Sequence, residues 1–164
     1  MARKTEPPCI VWFRDDLRLS DHPALHFAAS RKAPVICIYV LDERSAALQS
    51  AQWRPSGGAT RWWLAQSLRA LQADIETLGG ALLLRRGTAA QVIADLARET
   101  SADCVAWNDI ATAPHRLVSD DVVRALNDVG VASHISHGDL LAEPSTIRNK
   151  QGHGLRVFTP FWNR

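Results

Sequence analysis

Five short apolar runs, separated by stretches of helical period, constrain this chain more than any other feature: IVWF at 10–13, VICIYV at 35–40, ALLLRR at 81–86, DCVAWN at 103–108 and VASHISH at 131–137. In the first, Ile10, Val11, Trp12 and Phe13 are all β-branched or aromatic, the pattern of a strand buried on both faces. Leu64, Leu68, Leu71, Ile75 and Leu78 recur at spacings of four and three and form the stripe of an amphipathic helix, ended by Gly79-Gly80. Ser20 or Asp21 is expected to cap a helix with Pro23 in its first turn. Thr88 is expected to cap one carrying Val92, Ile93 and Leu96 inward. Pro114 begins another, with Val118, Val122, Leu126 and Val129 on one side and Gly130 at its close. Strands alternating with helices imply a parallel sheet with right-handed crossovers. The expected fold is therefore α/β: a doubly wound five-stranded parallel sheet of order 3-2-1-4-5, with helices on both faces.

A chain of 164 residues with 46% apolar content can bury one real core. Residues 1–137 are expected to form that domain. From Gly138 onward Gly, Pro and polar residues dominate until VFTPFW, so 138–164 reads as the start of a linker toward something else. Between the second run and Ala59, LDERSAALQSAQWRPSGG has no clear period and is expected to be a long loop. No run of 18 apolar residues and no signal segment appears, so a cytoplasmic protein without a membrane partner is expected. Cys9, Cys37 and Cys104 lie far apart with no C-x-x-C spacing and read as buried free thiols. The net charge of +2 is too small to announce a nucleic-acid binder. All of it sits in residues 138–164, where Arg148, Lys150, Arg156 and Arg164 face Asp139 and Glu143.

Ligands of open α/β sheets sit outside the carboxyl ends of the strands, where the strand order reverses. In the expected order that crevice lies between the first and fourth strands. Arg14, Asp15 and Asp16 form one lip, Asn108 and Asp109 the other, and Leu41, Asp42 and Glu43 stand nearby. The alternative is structural, with Arg14, Asp16 and Arg18 pairing among themselves to pin the loop. The chain has no G-x-G-x-x-G after its first strand, no P-loop and no G-x-S-x-G elbow, so phosphate-cradle and hydrolase readings lack their residues. His134 and His137 point to opposite faces of a strand, so no metal site is expected there. Trp62 and Trp63 invite a stacking or light-absorbing role, but adjacent helical residues diverge by about 100° and packing is the expected one. Arg85-Arg86 reads as a solvated edge. No catalytic residue is expected in this chain.

VWFRDDLRLSDHPAL, PVICIYVLDE, RWWLAQSLRALQADIETLGGALLLRRGTAAQVI, VAWN and the terminal VFTPFWNR resemble, in order and spacing, the amino-terminal α/β domain of the DNA photolyase and cryptochrome family. The resemblance spans nearly the whole chain. It implies the antenna-binding and scaffolding domain of a blue-light flavoprotein. Such a protein, as a complete photolyase, repairs pyrimidine dimers in DNA by electron transfer from reduced FAD. The partners implied are a following helical domain, which holds the FAD, and damaged DNA reached through that domain. A cryptochrome photoreceptor, or a free-standing flavin- or nucleotide-binding module, are the other readings.

By the same resemblance, Val40, Leu41 and Asp42, with Asn108 and Asp109, would lie near an antenna chromophore, and Arg14 joins them at the lip. Ala111 stands where relatives tend to carry a tyrosine, and Pro114-His115 where folate binders place an Asn-Glu pair. A deazaflavin or flavin is therefore expected over folate. The charges of the first loop are expected to lock it and to contact the helical domain. Phe158, Phe161 and Trp162 form an apolar patch through which the isolated chain is expected to self-associate.

Overall fold

The computed structural model describes residues 6–49, 57–138, 140, 146–155 and 157–162. The strands are β1 (Cys9–Phe13), β2 (Val35–Leu41), β3 (Leu82–Arg86), β4 (Cys104–Asp109) and β5 (Ala132–His137). The helices are α1 (Pro23–Ser30), α2 (Gly58–Thr77), α3 (Ala89–Thr100), α4 (Ala113–Asp128) and the short α5 (Phe158–Trp162). The strands form one sheet in the order β3-β2-β1-β4-β5, and every neighbouring pair runs parallel. This is the order expected from the sequence.

Alternation along the central strands divides the core into two layers. Ile10 and Trp12 of β1, with Val105 and Trp107 of β4, pack among Ile93 and Leu96 of α3 and Val118, Val122 and Leu126 of α4. Cys9, Val11 and Phe13, with Cys37, Cys104 and Ala106, pack on the other face against Ala24 and Ala28 of α1 and Leu71 and Ile75 of α2. With a helical layer on each side, all five residues of β1 are buried. The three cysteines are free and buried, as expected.

The helix starts differ from expectation in an instructive way. Neither Ser20 nor Asp21 caps α1; His22 does, its Nδ1 accepting from the Leu25 amide at 3.1 Å. Thr88 occupies the N-cap position of α3, yet its hydroxyl makes no capping bond. Asp42, at the end of β2, reaches across instead, and its Oδ2 accepts from the Ala89 amide at 2.9 Å. In both cases a side chain that also holds a loop displaces the local hydroxyl. Gly130 closes α4 with φ +71°, a left-handed turn that suits glycine.

The segment after β5 is not featureless among the described residues. Arg148 and Gly154 form an antiparallel bridge, and α5 follows. Of the expected long loop, residues 42–49 are described and contain the turn Ser45–Gln49; residues 50–56 lie outside the described set. Among the described residues no helix is long and apolar enough to cross a membrane.

Candidate functional site

The carboxyl ends of β1 and β4 are adjacent, and the polar residues just beyond them converge. The Arg14 amide donates to Asp16 Oδ1 at 3.0 Å, which folds the chain back immediately after β1. The Arg14 side chain continues on the Trp12 face: its guanidinium lies 4.6 Å from the Trp12 ring centroid. It donates to Ser119 Oγ at 2.9 Å and to the His115 carbonyl at 3.1 Å. Trp107 Nε1 also donates to Ser119 Oγ, at 3.3 Å.

The Asp16 side chain turns to the opposite face. Its Oδ2 accepts from Asn108 Nδ2 at 2.6 Å. His22 Nε2 stands 3.0 Å from the same oxygen, though off the line of a well-formed hydrogen bond. Asn108 Oδ1 in turn accepts from the Ala24 amide at 3.0 Å, fixing the first turn of α1 to β4. Because His22 Nδ1 accepts from Leu25, the ring proton belongs on Nε2, toward Asp16. Burial alone would raise the Asp16 pKa, but the close His22 ring, with donation from the Arg14 amide and Asn108, outweighs it and holds the carboxyl down at about 2. Gly138 completes the packing, since a Cβ there would stand 2.9 Å from Asn108 Cγ.

The six residues expected around a chromophore thus fall into three groups. Arg14 and Asn108 are 6% and 2% exposed and join the same network through Asp16, their polar groups bonded within the protein. Val40 is buried and Leu41 half-buried at the end of β2. There Asp42 accepts from the Arg44 and Ser45 amides, the Ser45 hydroxyl and Ala89. Asp109 is half-buried, with Arg116 Nε 3.5 Å from its carboxylate. Asp15 is exposed on the lip, 3.9 Å from His115 Nε2, while His115 Nδ1 lies 2.6 Å from Thr112 Oγ1.

The charges of the first loop do not pair chiefly among themselves. Apart from the Arg14 amide on Asp16, they reach α1, β4 and α4, and Arg18 Nε donates to the Asp21 carbonyl at 3.2 Å. Sequence reasoning missed Ser119 and His22. The available signal for Ser119 was a small hydroxyl on the buried stripe of α4, between Val118 and Val122.

Trp62 and Trp63 correct an expectation. They are 61% and 68% exposed rather than packed, with ring centroids 6.4 Å apart. The reason is helix phase. Leu68, Leu71 and Ile75 turn one face of α2 to the core, with Leu64 half-buried on the same stripe, and Trp62 and Trp63 lie about 200° and about 100° around the helix from Leu64, off that face. Arg85 and Arg86 are exposed as expected, Arg86 pairing with Glu43 at 2.6 Å. A cavity of about 570 Å³ lies at the opposite end of the sheet, lined by Glu6 to Pro8, Pro34, Ile36, Thr100 and Ser101. It is remote from the convergent polar groups.

Comparison with known proteins agrees with this fold. The model of the DNA photolyase family matches residues 9–164. The chain belongs to the DNA photolyase family. It is 44% identical over 163 residues to a deoxyribodipyrimidine photo-lyase of Agrobacterium fabrum, covering 99% of this chain and 32% of that protein. It is 35% identical over 157 residues to cryptochrome-1 of Arabidopsis thaliana, covering 94% of this chain and 22% of that protein. The crystal structure of a class III photolyase from Agrobacterium tumefaciens superposes with a TM-score of 0.87 at 41% identity, over 99% of this chain and 32% of that one. The chain therefore spans about a third or less of the length of these relatives. It corresponds to the amino-terminal α/β domain of a photolyase-family protein, a family that usually carries FAD and an antenna chromophore.

Proposed function

We propose that this chain is the antenna-binding and scaffolding domain of a deoxyribodipyrimidine photo-lyase acting in the cytoplasm. In this reading light-driven repair of pyrimidine dimers takes place on FAD held by a helical domain that follows. The 44% identity to the A. fabrum enzyme over nearly the whole chain carries the reading. Residues 138–164 begin the connection between the two domains.

The chemistry of the site agrees with a carrier. Arg14, Asp16, His22, Asn108 and Ser119 spend their hydrogen bonds on one another and on neighbouring backbone. Among the described residues of the crevice no nucleophile stands activated toward open space. An antenna pigment, when bound, absorbs light and passes the excitation to the FAD. The residues suited to hold it are those with surface to offer: Leu41 beside Val40 as an apolar wall, Asp109 at the rim, and the exposed rings of Trp62 and Trp63 as a stacking surface. Arg14, Asp42 and Asn108 shape the floor on which that surface rests.

Absorption spectra and blue-light repair of dimer-containing DNA by the whole protein test this reading. Repair with a spectrum showing FAD and a second pigment is the expected result. The spectrum also decides between a deazaflavin or flavin and a folate. Likeness to cryptochrome-1 favours one other reading, a photoreceptor. Flavin photoreduction without any dimer repair would select it.

A further inference from the structure

Cys9 and Cys104 open β1 and β4 and are partners in the parallel ladder between them. Both side chains lie in the core layer under α1. Adjacent strands run about 4.8 Å apart, inside the Cα separation of roughly 4.4–6.8 Å that a disulfide spans. Cys9 Sγ donates to the Ile10 carbonyl at 3.9 Å, and the two thiols are close enough for each to act on the other's ionisation, as do the charges of Arg31 and Asp103. Arg31 and Asp103 are themselves joined by two contacts of 2.6 and 2.7 Å. The neighbouring Cys9 chiefly, aided by Arg31 and opposed by burial, lowers the Cys104 thiol, while Cys9 is pushed upward. Cys37 stands apart: it is paired in register with Val11 and Leu82, and burial raises it to about 11.

We propose that Cys9 and Cys104 are a redox pair that hydrogen peroxide closes into a cross-strand disulfide. The Cys104 thiolate attacks one peroxide oxygen; the O–O bond breaks, an S–O bond forms, and hydroxide leaves. Cys9 sulfur then attacks the Cys104 sulfenic acid; the S–S bond forms, the S–O bond breaks, and water departs with the Cys9 proton. In sum, two thiols and one peroxide give one disulfide and two waters, each sulfur losing one electron. The pair lies at the amino ends of its strands, next to the Pro8 and Asp103 turns. Cys9 and Cys104 are 0% and 2% exposed, so the oxidant reaches them when the strand ends open beside Arg31 and Asp103, whose side chains are 28% and 44% exposed. The product ties β1 to β4 at the centre of the sheet.

The test is graded hydrogen peroxide on the whole protein, followed by alkylation in denaturant, non-reducing digestion and mass spectrometry. The expected result is a linked peptide joining Cys9 to Cys104, released by dithiothreitol, with Cys37 fully alkylated. Cross-linking should accelerate as pH rises, and Cys37→Ser should leave it unchanged. Alkylation of all three cysteines at every dose would overturn the proposal. So would oxidation of Cys104 to the sulfinic acid with Cys9 still a thiol. Both readouts come from the unmodified sequence, so no variant has to fold.

Discussion

Asn108 Nδ2 donates to Asp16 Oδ2 at 2.6 Å, joining the end of β4 to the loop that follows β1 across 92 positions of sequence. Because Asn108 also holds the Ala24 amide and Asp16 also holds the Arg14 amide, one pair of side chains fixes two strands and the start of α1. Replacing either leaves a buried polar group without its partner, which costs roughly 2–4 kcal/mol. Asn108→Ala and Asp16→Ala should each lower Tm by several degrees in calorimetry of the whole protein. An unchanged Tm together with lost pigment would assign these residues to binding instead.

Asp16 also sets an acid dependence. Its carboxyl titrates at about 2 when folded, below its ordinary 3.8, so the folded state favours the ionised form. That contribution is present above the unfolded pKa and disappears as pH falls through the folded one. It amounts to about 2 kcal/mol. Resistance to urea should weaken progressively as pH falls from about 5 to about 2, and Asp16→Asn should flatten this part of the profile. A variant as acid-sensitive as the parent would exclude Asp16 as the source.

The capping of α3 separates two neighbours. Asp42→Ala should cost about 1–2 kcal/mol, because it frees the Ala89 amide and unties the Ser45 turn. Thr88→Ala, whose hydroxyl caps nothing, should stay within about 0.5 kcal/mol. Urea midpoints of the two variants provide the check. Equal losses would restore the capping role to Thr88.

Among the tryptophans, burial predicts opposite behaviour. Trp107→Ala removes a fully buried ring and should cost about 3–5 kcal/mol. Trp62→Ala with Trp63→Ala removes two exposed rings and should change stability by about 0.5 kcal/mol or less, while lowering pigment content in the whole protein. Pigment content that survives the double substitution removes these rings from the site.

The strands and their order were legible because β1 and β4 are apolar at successive positions, a pattern only a doubly covered strand tolerates. The buried cysteines followed from the same runs. The partners of Asp16 and Asp42 were not legible, because each carboxylate is satisfied by groups from distant elements that no local spacing announces. His22 was passed over as a cap because serine and aspartate precede it. Trp62 and Trp63 were misjudged because large rings were assigned to the core by residue type, although both lie off the Leu64–Ile75 stripe that faces it. Of the six expected site residues, sequence placed all near the crevice and could not say which had already spent their hydrogen bonds on the fold.

Dimer repair under blue light, measured side by side for the whole protein and for residues 1–164 supplied with FAD, tests most directly that this domain carries and arranges while the photochemistry happens elsewhere. The whole protein should restore intact pyrimidines and residues 1–164 should not. Repair by residues 1–164 would contradict the account.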